Sequence, residues 1–324
     1  MITVENISKT FRVVKRSAGF GAAVKSFFRP SYSYIEALKE ISFEIAEGEM
    51  VGYIGPNGAG KSSTIKIMSG ILTPDSGRCI INGRVPWKER KAHVKEIGVV
   101  FGQRSQLWWD VPVEDSFSLL KDIYEVDEKV YRNNLAALSE QLQLQELLRT
   151  PTRQLSLGQR MRCEIAASLL HDPKILFLDE PTIGLDAVSK IAVREFIKTL
   201  NKEKKTTVIL TTHDMQDIEA LTERILLIGK GQILLDGTLR ELKETYAQKK
   251  TLVVTYTAGE IPELPGVSVL ENEKGSARLS VPAGEYTVSE IIQRLSEHIE
   301  MQDFSVVEPT AEEMVVSMYG AFEI

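Results

Sequence analysis

The chain has 324 residues, of which 43% are hydrophobic and 26% are charged, and its formal net charge is −6. This composition supports one large apolar core and a smaller one, and no stretch approaches the 18 or more apolar residues that a membrane-spanning helix requires. The two cysteines, Cys79 and Cys163, are too few and too far apart for a disulfide framework or a zinc site. A two-domain protein with no direct membrane span is therefore expected.

Basic and aromatic residues are interleaved near the start of the chain. Residues 11–31 carry five basic and no acidic side chains, together with Phe20, Phe27 and Phe28. We favour a hairpin or short helix that covers an outer sheet. Contact with anionic lipid is the alternative, because basic and aromatic side chains together suit a membrane surface.

A glycine-rich loop at residues 55–62 has the sequence GPNGAGKS, which fits the pattern G-x-x-x-x-G-K-[ST]. An apolar, strand-like run precedes it and a helix-like run follows it, which is the context that this motif requires. There, backbone N–H groups face a polyphosphate, Lys61 contacts the outer phosphates and Ser62 ligates Mg²⁺. The predicted nucleotide-binding residues of this loop are Gly55, Pro56, Asn57, Gly58, Ala59, Gly60, Lys61, Ser62 and Ser63.

Further motifs follow in a fixed order. Gln103 comes just after a strand-like run, and helical patterns then open at residues 113–117 and cover residues 135–148. The sequence LSLGQ at residues 155–159 opens a helix-forming run that reaches residue 170. It is followed by ILFLDE at residues 175–180, by GLD at residues 184–186, and by His213 after a β-branched run.

The two acidic residues of ILFLDE have different predicted roles. Asp179 ends a buried apolar strand, where an unpaired carboxylate is costly, and Mg²⁺ is its natural partner. Glu180 is next along the chain and is expected to point the other way, toward an attacking water. We therefore predict that Glu180 is the general base of a hydrolytic reaction.

The order of these motifs resembles that of the ATP-binding subunit of ABC transporters, and the resemblance covers about residues 1–240. It implies an α/β phosphate-loop NTPase with a mixed sheet core, an antiparallel β subdomain and a helical subdomain at about residues 104–170. It also implies the cofactors ATP and Mg²⁺. The implied catalytic residues are Glu180, His213, Gln103 and Lys61, and the implied metal ligands are Ser62, Gln103 and Asp179.

In this family the LSLGQ-like signature binds the γ-phosphate held by a second ATP-binding subunit, so the chain is expected to act as a dimer, most simply a homodimer. A helix start with serine at the capping position is also a good anion site. The family has glycine where this chain has Leu157, and we expect Leu157 to pack against the cap. The predicted nucleotide contacts of this region are Ser156, Gly158, Gln159 and Asp186.

Two aromatic features gain a role from the same resemblance. An aromatic residue before the strand that leads to the loop stacks on adenine in the family, and the spacing to Ala37 favours Tyr32, with Tyr34 as the alternative. Adjacent Trp108 and Trp109 follow Gln103 and cannot both face inward easily. Since the helical insert of ABC transporters contacts the membrane subunit, we predict that contact at these tryptophans.

Residues 241–324 form a separate, acidic unit, with three basic and thirteen acidic residues after residue 250. The pattern predicts strands at residues 251–256, 266–270 and 277–281, a helix at 288–298, a strand at 304–307 and a short helix from Thr310. This α+β module resembles the C-terminal appendage of drug-exporter ATPases. A packing or dimer-bracing domain is the favoured interpretation.

The sequence thus predicts the ATP-hydrolysing subunit of an ABC transporter that serves separate membrane permease subunits, in export by the type-2 permease class. We expect it to be cytoplasmic and peripheral on the inner face of the cell membrane, without a nucleic-acid partner. The alternative is a soluble ABC-type ATPase that acts on DNA or ribosomes. The DNA type needs a long coiled coil before the signature, and the ribosome type usually carries two cassettes.

Overall fold

The computed structural model describes residues 1–14, 32–102, 104–212, 214–246, 249–273, 275–282 and 286–307. It separates into two compact units, Met1–Asp236 and Gly237–Ile324. The separation lies four residues before the boundary predicted from the sequence. The first unit has two sheets and the second has one, and each unit has its own apolar core.

The first unit contains nine strands and seven helices among the described residues. The strands are β1 Ile2–Val14, β2 Tyr32–Ile45, β3 Met50–Ile54, β4 Ser76–Ile81, β5 Ile97–Phe101, β6 Ile175–Asp179, β7 Thr207–Thr212, β8 Arg224–Gly229 and β9 Gln232–Thr238. The helices are α1 Lys61–Met68, α2 Arg90–Val94, α3 Val113–Ile123, α4 Glu128–Gln141, α5 Leu157–Leu169, α6 Ala187–Lys204 and α7 Met215–Leu221.

The central sheet has the strand order β5-β6-β7-β3-β8-β9. The first five strands are parallel, and β3, β6 and β7 are almost wholly buried, as expected for apolar runs covered on both faces. Lys230 and Gly231, both with positive φ, form the two-residue turn from β8 to β9. Such a turn makes an antiparallel hairpin, so the sheet is mixed.

A smaller antiparallel sheet has the order β2-β1-β4. Its apolar side chains, such as Ile2 in β1 and Phe43 in β2, share one core cluster with Tyr53 and Phe177 of the central sheet. The last residue pair of the antiparallel β1–β2 ladder is Val14 with Tyr32. The two strands therefore flank residues 15–31, which make up most of the basic, aromatic segment. The part of that segment at residues 15–31 lies outside the described residues.

The helical region contains α3, α4 and α5. The prediction of a helix at residues 135–148 was wrong in its bounds, because α4 begins seven residues earlier. Asp127 caps α4 by accepting hydrogen bonds from the backbone N–H groups of Lys129 and Val130, and the helix ends before Leu142. The predicted mixed sheet, antiparallel β subdomain and helical subdomain are otherwise confirmed.

The second unit is an α+β module. It contains α8 Leu239–Tyr246, β10 Lys249–Gly259, β11 Ser268–Glu273, β12 Ser276–Pro282, α9 Val288–Ser296 and β13 Ile299–Val307. Its antiparallel sheet has the order β11-β12-β10-β13. Ile291 and Leu295 of α9 are buried in the same cluster as Leu252 and Leu279 of the sheet. The helix predicted from Thr310 lies outside the described residues.

Among the described helices, none is long and apolar enough to cross a membrane. The longest, α6, has 18 residues, and several of them are charged. Its apolar side chains, including Val193 and Ile197, are buried within the first unit.

Candidate functional site

A cleft with a volume of ≈ 720 Å³ lies at the carboxyl edge of the central sheet. That size suits a small-molecule ligand. The glycine loop between β3 and α1 forms one wall and the residues that follow β5 and β6 form the other. The lining residues are Ala37, Pro56, Asn57, Gly58, Gly60, Lys61, Ser62, Ser63, Lys66, Ile71, Phe101, Gly102, Arg104, Asp179, Glu180 and Ile183.

The glycine loop has the geometry of an anion cradle. Gly60 has φ 115°, and a Cβ at this position would stand 2.6 Å from the carbonyl oxygen of Ala37, so glycine is required there. Helix α1 begins at the next residue, and Gly60 has no side chain with which to cap it. The first-turn N–H groups of α1 are therefore available to an anion in the cleft.

Lys61 supplies a buried cation to this loop. Its Nζ donates hydrogen bonds to the carbonyl oxygens of Gly55 at 2.6 Å and of Pro56 at 3.2 Å. Burial lowers the pKa of Lys61, while the nearby carboxylates of Glu180 and Asp179 act in the opposite direction. The ammonium group is thus held between the loop and the acidic wall of the cleft.

Asp179, the last residue of β6, faces the loop. Its Oδ2 accepts a hydrogen bond from Ser62 Oγ at 3.2 Å, and its Oδ1 accepts one from Thr211 Oγ1 at 2.5 Å. A hydroxyl and a carboxylate oxygen side by side match the oxygen ligands of Mg²⁺, which takes one or two carboxylates and completes its shell with phosphate oxygens and water. Among the described residues, no group of three or more His, Cys, Asp or Glu side chains is placed to hold a metal ion.

Thr211 was missed by the sequence analysis. It is paired with Asp179 across the neighbouring parallel strands β6 and β7. Because the carboxyl ends of parallel strands meet at one edge of the sheet, the polar end of β7 was a usable signal. The backbone carbonyl oxygen of Thr211 also accepts a hydrogen bond from the backbone N–H of Glu180, at 2.9 Å.

Glu180 lines the cleft, but not for the reason given above. It lies beyond the end of β6 with φ 55°, in the left-handed region, so strand alternation does not set its direction. The hydrogen bonds from its N–H to Thr211 hold this turn of the chain. A non-glycine residue in this conformation is strained, and strain of this kind clusters at functional sites.

Two of the predicted catalytic residues, Gln103 and His213, lie outside the described residues, and their roles stay predictions. Their neighbours are described. The backbone N–H of Gly102 donates to Asp179 O at 2.8 Å, and the exposed Arg104 lines the cleft. Arg104 was not among the predicted site residues, although Arg104 adjoins Gln103 and carries the positive charge that a polyphosphate attracts.

The signature residues lie at the start of α5. Ser156 is the N-cap and forms a capping box with Gln159, in which Ser156 Oγ accepts from Gln159 N at 3.2 Å and Gln159 Oε1 accepts from Ser156 N at 2.9 Å. Neither residue lines the cleft of its own chain. Ser156 is exposed, so its hydroxyl is open to a second molecule.

Asp186 lies close to this helix start. It is the N-cap of α6 and accepts hydrogen bonds from the N–H and hydroxyl groups of Ser189, which lower the pKa of its carboxyl group. A Cβ on Gly158 would stand 2.5 Å from Ser189 Oγ, so α5 and α6 meet at this glycine. The half-buried Leu157 reaches toward Gly184, which agrees with the predicted packing role.

Neither aromatic candidate for adenine recognition lines the cleft. Tyr32 begins β2, and the guanidinium carbon of Arg12 lies 3.4 Å from its ring centroid, so one face of the ring is covered. Tyr34 has 68% of its surface exposed. Stacking on Tyr32 stays a prediction, and it requires the ring face opposite Arg12.

The exposed tryptophans lie at the start of the helical region. Trp108 and Trp109 are 42% and 52% exposed, and the guanidinium carbon of Arg160 lies 5.8 Å from the ring of Trp109. Neither side chain is in the core. Their exposure is the property expected of residues that contact another protein.

A buried carboxylate ties the segment after Gln103 to the signature helix. Glu164 of α5 is 4% exposed and accepts hydrogen bonds from the Ser105 hydroxyl and from Gln106 N, the latter at 3.1 Å. The Gln106 side chain in turn donates to Glu164 O at 2.9 Å. Burial raises the pKa of Glu164, and these hydrogen bonds offset part of that effect.

We expect the Glu164→Gln variant to gain stability relative to the wild type as the pH rises. The pKa of Glu164 is higher in the folded chain than its ordinary value of 4.5, which applies to the unfolded chain. The wild type therefore loses folding stability as the pH rises from 4.5 through the raised pKa, because the buried carboxyl group then ionises. Each tenfold difference in proton affinity is worth about 1.4 kcal/mol. Denaturant titrations across this range measure the difference, with the exposed Glu140→Gln as the control. A difference that stays constant with pH contradicts the prediction.

Comparisons with known proteins agree with this geometry. The ABC transporter family model matches residues 38–183, and the model of the ATP-binding protein DrrA1-3-like C-terminal domain matches residues 237–317. Daunorubicin resistance ATP-binding protein DrrA3 of Streptomyces coeruleorubidus is 31% identical over 298 residues, which cover 89% of this chain and 93% of that protein.

One further relative and one solved structure match this chain over very different shares of their own lengths. ABC transporter A family member 8 of Dictyostelium discoideum is 34% identical over 76% of this chain, but the match spans only 29% of that longer protein. The dimeric post-hydrolysis structure of an ATP-binding cassette bound to ADP and Pi is 27% identical, with a TM-score of 0.62, and the match covers 74% of this chain and 99% of that one.

Proposed function

Since the chain belongs to the family of ABC transporter ATP-binding proteins, we propose that it hydrolyses ATP as one half of a two-site dimer and couples hydrolysis to export by separate membrane subunits. One observation carries the proposal. A phosphate cradle, a buried lysine and two carboxylates share one cleft, while the start of the signature helix lies outside it.

Each wall of the cleft has a task in this reaction. The loop amides and Lys61 bind and neutralise the phosphates, as hydrolysis of a γ-phosphoryl group requires. Ser62 and Asp179 would hold Mg²⁺, which neutralises the phosphate charge. Thr211 fixes the Asp179 carboxylate in position. Glu180 accepts the proton of the attacking water, and by family resemblance Gln103 and His213 complete the site.

The second subunit completes the reaction chamber. Ser156, Gly158 and Gln159 lie at a helix start that is not part of their own chain's cleft, and Asp186 adjoins them. A helix start of this kind binds anions, so these groups would contact the γ-phosphate held by a partner copy. The dimeric cassette bound to ADP and Pi supports this arrangement.

The relatives also support the direction of transport. The matching protein of Streptomyces coeruleorubidus is named for daunorubicin resistance, and the C-terminal unit of this chain matches the DrrA-like domain. We therefore propose drug-type export, at the inner face of the cell membrane, with permease subunits contacted through Trp108 and Trp109. The alternative action on DNA or ribosomes has no comparable support.

Hydrolysis by the purified chain tests the proposal. We expect Mg²⁺-dependent release of phosphate from ATP, and removal of Mg²⁺ with a chelator should stop it. Lys61→Ala should weaken ATP binding by about 10- to 100-fold, because a charge-assisted hydrogen bond contributes roughly 1.5–3 kcal/mol. Binding of a fluorescent ATP analogue measures this loss. Lys205→Ala, at an exposed position, is the control, and equal binding by both variants argues against the assignment.

A further inference from the structure

A buried carboxylate at Asp217 lies behind the cleft, and the cleft lining does not include it. Asp217, in α7, has no exposed surface. One of its oxygens accepts a hydrogen bond from Arg194 Nε at 2.6 Å and lies 2.5 Å from Arg194 Nη2 in an ion pair. The other accepts from Thr212 Oγ1 at 3.2 Å and from the Thr182 hydroxyl.

These donors come from three separate segments, and each segment also carries a predicted site residue. Thr182 follows Glu180 by two residues, and Thr212 immediately precedes His213. Arg194 belongs to α6, the helix that Asp186 caps. One carboxylate therefore joins the segment after Glu180, the segment before His213 and the helix that Asp186 caps.

A second ion pair strengthens the same junction. Lys190, one turn before Arg194 on α6, lies with its Nζ 2.5 Å from Asp214 Oδ2. Asp214 follows His213, and its backbone N–H donates to Thr212 Oγ1 at 2.9 Å. Asp214 is thus paired with α6 directly, and Thr212 is connected to α6 through Asp214 and Asp217. The cations Lys190 and Arg194 thus neutralise the carboxylates of Asp214 and Asp217, as the burial of charged groups requires.

We propose that the Asp217–Arg194 pair is a positioning unit that holds the turn after Glu180, the residues on either side of position 213 and helix α6 in one arrangement for attack on the γ-phosphate. The inference rests on the proposed function. A buried ion pair is often no more stabilising than an apolar replacement, so fold stability alone does not account for it. What the pair provides is direction, because the Asp217 carboxylate accepts hydrogen bonds from three different side chains, those of Arg194, Thr182 and Thr212. Neither residue lines the cleft.

The Asp217→Asn variant tests this role. We expect kcat to fall by about 10- to 100-fold, since a displacement of about 1 Å at a reacting group costs on the order of 10²-fold in rate. The affinity for a fluorescent ATP analogue should change by less than about threefold, because the cleft lining is intact. An unchanged kcat overturns the inference.

A double variant separates positioning from folding. Asp217→Asn with Arg194→Gln removes both charges, so no charge is left buried without a partner, and the melting temperature should recover toward the wild-type value. The kcat should stay low, because the directed contacts are still lost. Recovery of kcat together with the melting temperature contradicts a positioning role.

The same sheet offers a matched control. Arg224, at the amino end of β8, binds Glu49 at 2.8 Å and Asp236 at 2.7 Å, at the edge opposite the cleft. Arg224→Gln removes an ion pair of similar geometry, and we expect it to lower the melting temperature while kcat is retained. An equal loss of kcat in Arg224→Gln means that the loss in Asp217→Asn follows from removing any ion pair of this sheet, and not from the place of Asp217 behind the candidate site residues.

Hydrogen exchange provides a readout that does not depend on hydrolysis. The Asp217→Asn variant should exchange faster than the wild type at the amides of Glu180 and Asp214, and Arg224→Gln should not. If the wild type hydrolyses no ATP, the proposed function fails, yet this exchange pattern still reports on the junction. If exchange at both amides is unchanged, the inference fails whatever the activity.

Discussion

Replacement of Glu180 by glutamine is expected to stop nearly all ATP turnover while ATP binding is retained. The amide has the same shape but cannot accept the proton of the attacking water, and general-base catalysis contributes about 10²–10⁴-fold. Binding should persist because Lys61 and the loop amides are unchanged. Phosphate release and binding of a fluorescent ATP analogue measure the two properties on the same preparation.

The control for this experiment is Glu140→Gln, an equal change at an exposed position on α4. It should hydrolyse ATP at the wild-type rate. Steady-state turnover of Glu180→Gln within a fewfold of that control removes Glu180 from the role of base. Loss of ATP binding in Glu180→Gln has a different meaning, because it indicates that the carboxylate holds the cleft together rather than the water.

Adding Ser156→Arg to the Glu180→Gln protein is expected to abolish its ATP-dependent dimerisation. The Glu180→Gln chain with Mg-ATP should sediment as a dimer, because nucleotide remains trapped between the subunits. Ser156 is exposed at the start of α5, so an arginine there projects toward the partner's γ-phosphate and blocks close approach. We expect at least about a 100-fold loss of association, equivalent to about 2.7 kcal/mol.

Loss of an N-cap alone costs roughly 0.5–2 kcal/mol, and this cost must be separated from the effect at the interface. Asp127 offers the comparison, because its side chain caps α4 within the first unit and away from the signature helix start. Asp127→Arg in the Glu180→Gln protein should leave the dimer intact. If the Ser156→Arg protein dimerises as fully as the Asp127→Arg protein, the signature does not contact ATP across an interface.

Local motifs were the part of the site that the sequence could predict. The glycine loop, the strand that ends at Asp179 and the cap at Ser156 each depend on neighbouring residues, so their geometry follows from short stretches of sequence. The fold class followed from the order of those motifs. In the C-terminal module the sequence predicted three strands, the helix and the final strand among the described residues, since period-two and helical patterns are clear there, although β13 begins five residues before the predicted strand.

Contacts between distant segments could not be predicted in the same way. The Asp217 junction joins residues 182, 194, 212 and 217, and nothing in the spacing of such common residue types distinguishes them from surface residues. The backbone of Glu180 was also unpredictable, because its left-handed turn depends on Thr211 in a neighbouring strand. Arg12 on Tyr32 is a third example, as the contact arises only when β1 and β2 pair.

The position of β3 in the central sheet has a consequence for synthesis of the chain. Both neighbours of β3 come late, because Met50 pairs with Val208 and Ile54 with Leu227, more than 150 residues further on. At about 5–20 residues per second, the phosphate loop emerges from the ribosome many seconds before the strands that support it. The nascent chain therefore exposes an unpaired apolar strand for that interval, and ribosome-associated chaperones are its natural protection.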